Sequence, residues 1–267
     1  MKKIGVIGLG KMGEALVRGM TAAQAGYSLE ATTRTAESAK EAQKRLGVKC
    51  HTDNSKLAEN CEILLLCVKP HQVEALLGAI QNELTSKHLL ISICASITTA
   101  QLSAWSGGKC AVIRAMPNTP ALINEGMTAL AAGPRAESRH LHLAEQIFGT
   151  VGHTAKVEES LMDGVTGLSG CGPAYVYMII EALSEAGVKV GLPRKVATLL
   201  AAQTLAGASR MVLERGEHPA ALKDEVTTPA GCTIDGLMAL EEGALRATLI
   251  RAVVAATERS RGLREPS

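Results

Sequence analysis

Hydrophobic positions follow two different periods along this chain, and the change falls between Val157 and Ser160. Before it, short apolar runs at Lys3 to Ile7, Ser28 to Thr33, near Val48, Glu62 to Val68, His88 to Ile93, Ala111 to Ala115 and Gly126 to Ala132 read as β-strands. Helical segments separate them, the arrangement expected of a doubly wound parallel sheet. Ile63-Leu64-Leu65-Leu66-Cys67-Val68 is apolar without interruption, as a central strand covered on both faces should be. After the change, helices follow one another: Glu159 to Leu168, Pro173 to Ala186, Arg194 to Leu213, His218 to Thr227, Thr233 to Glu241 and Leu245 to Leu263. The pattern predicts an α/β chain of two domains, 1–158 built on the sheet and 159–267 all helical.

The first strand runs straight into Gly8-Leu9-Gly10-Lys11-Met12-Gly13, and Met12, Leu16, Gly19, Met20 and Ala23 then fall on one face of a helix. A strand, G-x-G-x-x-G and an amphipathic helix, in that order, make the dinucleotide-binding turn of a Rossmann domain. Gly8 permits the tight turn, Gly10 lets a pyrophosphate approach the main chain, and Gly13 lets the helix pack closely on the sheet. The bland alternative is a glycine-rich structural turn. Ligands of such sheets bind beyond the carboxyl ends of the strands. The pattern places Val68-Lys69-Pro70-His71, Cys94-Ala95-Ser96 and Met116-Pro117-Asn118-Thr119-Pro120 there. Lys69 and Asn118 carry groups for the ribose or amide of a cofactor, although each residue taken singly reads equally as loop structure. After the second strand, Ala31-Thr32-Thr33-Arg34-Thr35 offers a cation and hydroxyls where an NAD site would carry a carboxylate. That favours NADPH, with NADH as the second option. Arg34 has two other readings, stacking on adenine or solvation, and Ser38 and Lys40 are weaker helpers.

Composition narrows the class. A chain of 267 residues, 46% of them hydrophobic, can bury a core in each domain, and a net charge of +2 selects no polyanion. Tyr27, Trp105, Phe148, Tyr175 and Tyr177 are the whole aromatic set, with no basic stripe beside them, so nucleic acid is not an expected partner. No apolar run approaches the ~20 residues of a membrane helix. Met1-Lys2-Lys3 leads into a strand pattern and glycines, without the cleavage site of a signal peptide. Seven cysteines without a C-x-x-C pair read as reduced thiols of a cytoplasmic protein, with no metal site. Helices such as Lys195 to Leu213 are apolar on more than one face, which predicts a homodimer or higher homo-oligomer through the helical domain. The alternative is a self-contained bundle.

Between two predicted helices lies Thr227-Thr228-Pro229-Ala230-Gly231-Cys232-Thr233. The first three residues stop one helix, Ala230 and Gly231 let the backbone pass close to a ligand, and Cys232 and Thr233 open the next. Unpaired N–H groups at a helix start favour a carboxylate or phosphate, and a plain connection is the alternative. Leu222, Val226, Thr227, Thr228, Gly231, Thr233, Gly236, Leu237 and Glu241, at these spacings after Pro219, resemble the signature of pyrroline-5-carboxylate reductases. Val68-Lys69-Pro70, the Met116 to Pro120 run and Leu168-Ser169-Gly170-Cys171-Gly172-Pro173-Ala174-Tyr175 resemble further elements of that family, so the resemblance spans both domains.

The resemblance implies a Rossmann domain followed by an all-helical dimerisation domain, and hydride transfer from NADPH to the cyclic imine 1-pyrroline-5-carboxylate, giving L-proline. It implies cofactor contacts from Gly8, Leu9, Gly10, Lys11, Met12, Gly13, Arg34, Val68, Lys69, Pro70, Cys94, Ala95 and Asn118. It sets the substrate carboxylate on the N–H groups of Gly231, Cys232 and Thr233, with Thr228 assisting and the Thr233 hydroxyl against the ring nitrogen as the catalytic group. A protonated imine is already electrophilic, so positioning supplies much of the catalysis without a strong general acid. His218 then reads as a helix cap rather than a proton donor, and Tyr175 and Tyr177 as core or interface residues.

Two rival readings use the same features. Beta-hydroxyacid and phosphogluconate dehydrogenases carry G-x-x-G-x-G-x-x-x-K-x-x-x-N at the junction of similar domains. Gly167, Gly170 and Gly172 keep the glycines here, but Val176 and Ile180 stand at the lysine and asparagine positions, and valine cannot exchange a proton with an alcohol. A dimer that senses NADPH without turnover would need the glycine loop but no carboxylate cradle. Replacing Arg34 by alanine should weaken NADPH more than NADH, measured as the ratio of the two dissociation constants. Equal losses would mean that Arg34 stacks on adenine.

Overall fold

In the computed structural model, which describes residues 2–263, strands and helices alternate from the start of the chain. They run β1 (Lys3–Ile7), α1 (Lys11–Ala22), β2 (Ser28–Thr32), α2 (Ala36–Leu46), β3 (Lys49–His51), α3 (Asn54–Asn60), β4 (Ile63–Leu66), α4 (Val73–Ile80), β5 (Leu89–Ser92), α5 (Thr99–Trp105), β6 (Ala111–Met116), β7 (Gly126–Ala132), α6 (Ser138–Gly149) and β8 (Gly152–Lys156). The sheet order is β3-β2-β1-β4-β5-β6-β7-β8. Alternate residues of β4 enter opposite cores, Ile63 and Leu65 on one face and Leu64 and Leu66 on the other, and all four are buried. The uninterrupted apolar run is thus explained by two helical layers, one over each face.

The sheet departs from the expected all-parallel pattern at one edge. β1 to β6 pair in parallel, but β7 is antiparallel to β6, and β8 pairs in parallel with β7. Residues 117–125 alone link β6 to β7, too few for the dozen or more that a parallel crossover needs. β8 is absent from the sequence pattern because Gly-His-Thr-Ala-Lys is an edge strand with one neighbour and little apolar surface to bury.

The expected single helix from Glu159 to Leu168 is three short pieces. A 3-10 turn (Glu159–Leu161) precedes α7 (Met162–Val165), and Thr166–Gly170 widens into a π turn. Met162 is fully buried with Ala129 and Ala131 of β7, so this stretch belongs to the packing of the sheet. The remaining helices are α8 (Gly172–Lys189), α9 (Arg194–Arg215), α10 (Pro219–Glu225), α11 (Cys232–Glu242) and α12 (Leu245–Gly262). By packing, the chain forms two units. One comprises residues up to Cys171 together with those from Ala255 onward, and the other comprises Gly172–Val254. The change in hydrophobic period near 158 therefore precedes the break in packing.

In the helical unit, α8 and α9 pack as a hairpin, with Gly187 close enough to Ala197 that a methyl group there would lie 2.7 Å from the Ala197 Cβ. Most apolar side chains of this unit face outward, including Met178 (73% exposed), Leu199 (67%), Leu213 (71%) and Ile250 (63%). Among the described residues α9 is one helix long and apolar enough, by length and composition, to cross a membrane, although it holds no unbroken apolar run of that length. It does so by averaging, since its Leu, Val and Ala residues outweigh Arg194, Lys195, Gln203 and Arg210 over six turns of helix.

Phe148 on α6 is fully buried in the core that includes Leu16, Ile147 and Val151. Phe148→Ala should lower stability by about 3–5 kcal/mol, read from the urea midpoint at unchanged slope. A loss near zero would contradict its place in this core.

Candidate functional site

The turn after β1 is shaped by contacts that a side chain would break. Gly8 has φ +94, and a Cβ there would lie 2.9 Å from the Cys67 carbonyl oxygen. Its N–H donates to Thr32 O at 3.1 Å, and Cys67 N–H donates to Ile7 O at 2.9 Å, which ties the ends of β2, β1 and β4 together. A Cβ at Gly13 would run into Gly8 O and come within 3.2 Å of Cys67 Cβ. Gly10 is different. Nothing lies within 4 Å of the position its Cβ would take, so the fold leaves vacant the volume that a pyrophosphate would need. Gly10 is also the N-cap of α1, and no side chain caps that helix. Its first N–H groups and the positive end of the helix dipole are thus available to an anion. Lys11 beside them is exposed, whereas Leu9 and Met12 pack on the core.

One carboxylate stands in the first turn of α1, and the fold neutralises it. Glu14 accepts from Arg18 Nη2 at 2.8 Å and from Arg45 Nη2 at 2.7 Å. Burial pushes its pKa up, but these arginine contacts outweigh it and hold the carboxyl below the usual range. The charge is therefore spent on two guanidinium groups rather than opposing a phosphate.

The other strand-end loops are braced against one another. Lys69 N–H donates to Gln72 Oε1 at 3.2 Å over a 3-10 turn that Pro70 opens. Cys94 N–H donates to Ser92 Oγ at 3.2 Å, and the Cys94 thiol donates to the Val68 carbonyl at 3.2 Å. Burial raises the Cys94 pKa, so the sulfur stays protonated and serves as a donor. Burial, with Cys94 beside it, also raises that of Cys67. Val68, Lys69, Pro70, Cys94 and Ala95 are thereby brought to the carboxyl edge next to the glycine turn, where the order of strands reverses between β1 and β4. Arg34 is exposed after β2, in a turn in which the Thr33 hydroxyl donates to Thr35 O at 3.0 Å and Thr35 caps α2 through Ser38 N–H at 3.2 Å. Those hydroxyls shape the turn and leave Arg34 as its outward-facing cation.

Asn118 has a different occupation from the one its position suggests. Its Oδ1 accepts from Met127 N–H at 2.9 Å, and its Nδ2 donates to Ser169 O and Oγ, each at 3.3 Å. The amide latches the loop after β6 to β7 and to the π turn. A Cβ at Gly170 would lie 2.7 Å from Met116 Cε, so a small residue is required where that turn meets the loop. The sequence reading missed a buried charge cluster nearby. Arg114 of β6 is 1% exposed, and its Nη1 lies 3.6 Å from Glu159 Oε1. The interruption of Ala-Val-Ile-Arg-Ala-Met by an arginine was the available signal.

In the helical unit, the connection between α10 and α11 forms a tight turn. Gly231 N–H donates to Thr228 O at 3.0 Å, and Ala230 between them has φ +57. A Cβ at Gly231 would strike the Thr228 hydroxyl. Gly231 is the N-cap of α11, and no side chain caps that helix. The N–H groups of Cys232 and Thr233 thus lie at a second uncapped helix start, with Cys232 exposed and Thr233 half-buried, whereas the Gly231 N–H expected to join them is taken by Thr228 O. His218 caps α10, its Nδ1 accepting from Ala220 N–H at 3.2 Å.

Residues 159–263 match the family model for pyrroline-5-carboxylate reductase dimerisation, and residues 3–96 match that for NADP oxidoreductase, coenzyme F420-dependent. The chain is 43% identical to the pyrroline-5-carboxylate reductase of Methanosarcina acetivorans, over 98% of each chain. It is similar to a solved pyrroline-5-carboxylate reductase from Coxiella burnetii, with a TM-score of 0.93 at 35% identity and 98% of each chain covered. It is also similar to the Plasmodium falciparum pyrroline carboxylate reductase solved with NADP bound, with a TM-score of 0.87 at 34% identity, covering 99% of this chain and 98% of the other.

The two glycines of the turn should separate on substitution. Gly10→Val should fold, because its side chain meets open space, and should lose dinucleotide binding in a calorimetric titration. Gly13→Val should lose thermal stability as well, because its Cβ meets Gly8 O. Intact NADPH affinity in a folded Gly10→Val protein would refute the phosphate site.

Proposed function

This chain belongs to the pyrroline-5-carboxylate reductase family, and we propose that it catalyses the NAD(P)H-dependent reduction of 1-pyrroline-5-carboxylate to L-proline, the last step of proline synthesis. The observation that carries the reading is the pair of uncapped helix starts. One lies beside the vacant volume at Gly10, and the other beside Gly231. A dinucleotide and a carboxylate substrate each need such a place. The glycine turn fits the cofactor because its vacancy sits where a diphosphate must touch main-chain N–H groups.

When bound, the reduced nicotinamide supplies the hydride that adds to the imine carbon. Gly8, Leu9, Gly10, Lys11, Met12 and Gly13 hold the diphosphate. Arg34 pairs with the ribose 2′-phosphate, and Val68, Lys69, Pro70, Cys94 and Ala95 form the wall along the remainder of the cofactor. Asn118 acts through the loop it latches. The N–H groups of Cys232 and Thr233 hold the substrate carboxylate, Gly231 gives it room to approach while its own N–H and Thr228 keep the turn in shape, and the Thr233 hydroxyl orients the ring nitrogen. The protein need not supply a strong acid, because an iminium takes up hydride to give a neutral amine that solvent protonates. His218 is committed to capping α10, which supports leaving it out of the chemistry.

The outward apolar faces of α8, α9, α11 and α12 support a homodimer through the helical domain, 159–267, and an equally apolar surface on a second copy would cover them. Seven free cysteines favour a reducing, cytoplasmic setting.

NADPH oxidation on adding pyrroline-5-carboxylate tests the reading. Tight NADPH binding without oxidation would leave a nucleotide-sensing dimer instead. Thr233 lies inside α11, and no side chain caps that helix, so its hydroxyl is not needed for the helix start. Thr233→Ala should therefore remove a hydrogen bond worth roughly 1.5–3 kcal/mol, on the order of 10- to 150-fold in kcat/KM, at nearly unchanged melting temperature. Thr233→Ser should retain most of the activity. An alanine variant that loses stability but keeps its efficiency would sink the catalytic assignment.

A further inference from the structure

Glu159 receives three groups from the sheet unit. Thr99 N–H donates to its Oε1 at 2.7 Å, the Thr99 hydroxyl donates to Oε2 at 2.5 Å, and Arg114 Nη1 lies 3.6 Å from Oε1. Thr99 is 3% exposed and Arg114 1%. Thr99 is also wedged against Gly133, where a Cβ would lie 2.8 Å from its Cγ2. A carboxylate held in this way is a fixed point, because moving it would take the acceptor from the Thr99 N–H at the buried start of α5.

What this point fixes is the start of α5. Thr98 is the N-cap of that helix, its hydroxyl accepting from Gln101 N–H at 3.1 Å while its own N–H donates to Gln101 Oε1 at 2.9 Å. Thr99 is the first helical residue, and the stretch just before it is the loop after β5. That loop passes Ser96 at φ +63 and carries Cys94, whose thiol bonds the Val68 carbonyl of the loop after β4. Glu159 is thus joined through Thr99, and through the main chain that leads back from Thr99 to Cys94, to two of the loops assigned to the cofactor. None of Glu159, Thr99 and Arg114 belongs to those loops.

We infer that Glu159 is a positioning residue for NAD(P)H binding, holding the loops after β4 and β5 in their binding shape through Thr99, with Arg114 fixing the carboxylate. The inference rests on those loops forming the cofactor site. Glutamine at 159 keeps the shape but removes the charge that faces Arg114 and leaves one acceptor oxygen where the carboxylate has two, so that Thr99 keeps both bonds only if its hydroxyl reverses from donor to acceptor. The anchor of the loop after β5 is weakened while the glycine turn stays intact.

The test is NADPH affinity by fluorescence titration, with melting temperature and steady-state kinetics, on Glu159→Gln, Thr99→Val, Thr99→Ser and Gly10→Val. Glu159→Gln should raise the NADPH Kd and KM on the order of tenfold while kcat at saturating NADPH and the KM for pyrroline-5-carboxylate stay near native. Thr99→Val should raise the Kd in the same direction, and Thr99→Ser should restore it because the hydroxyl remains. A Glu159→Gln protein that melts earlier but binds NADPH with native Kd overturns the inference and leaves the cluster purely structural. Should that variant not fold, the threonine pair decides, since equal Kd values for the valine and serine forms overturn it equally. If Gly10→Val binds NADPH normally, the cofactor site itself is misassigned and this inference falls with it. Loss of binding there, with native Kd in the other variants, overturns the positioning role alone.

Discussion

Main-chain N–H groups can hold an anion only where the ligand reaches within hydrogen-bond distance of the backbone, and this requirement bears on both helix starts proposed above as anion sites. At α1 the fold meets it by vacancy. Gly10 has empty space beside it, no side chain competes for the helix N-terminus, and Glu14 is turned aside by Arg18 and Arg45. At α11 the requirement is met by compression. Gly231 is a glycine because the Thr228 hydroxyl occupies the place of a side chain, and Ala230 accepts a left-handed backbone to complete the turn. A non-glycine residue in that region is disfavoured by roughly 1–2 kcal/mol, so the turn stays in shape only because the contacts around it insist on it.

The parts of this arrangement that were legible in the sequence are those set by neighbouring residues. The strand, glycine turn and helix at the N-terminus follow from spacing alone, and so does the two-sided burial of β4. The turn between α10 and α11 was legible as a run of small and hydroxylated residues between helices. What escaped depends on distant partners. The reversal of β7 was implied by the shortness of its link to β6, but β8 is too polar to declare itself and is recognised only by its pairing with β7. Asn118 reads as a ligand-facing residue in sequence, and only the positions of Met127 and Ser169 reveal it as a latch. Arg114 and Glu159 are far apart along the chain, so their meeting has no local signature beyond a charge in an apolar strand.

The helical unit shows the same limit from the other side. Its apolar residues are evident in the sequence, but alone it leaves many of them facing outward. α9 illustrates the ambiguity of composition, since its length and apolarity would suit a bilayer. The match of residues 159–263 to a dimerisation family offers another solvent for that surface, namely protein. Leu199 and Leu213 gain as much by meeting another protein surface as by meeting lipid, and the former leaves the charged residues of the same helix in water.

The sheet unit is also discontinuous along the chain. Ser260, near the end of α12, donates to the buried carboxylate of Asp163 at 2.9 Å, as Glu159 closes over Thr99 and Arg114. During synthesis the ribosome releases β6 before Glu159, and Asp163 long before Ser260. The strands can collapse early, but the Asp163 carboxylate meets Ser260 only after α12 has been made. The helical unit thus emerges between two parts of the sheet unit, which gains its α12 contacts only afterwards.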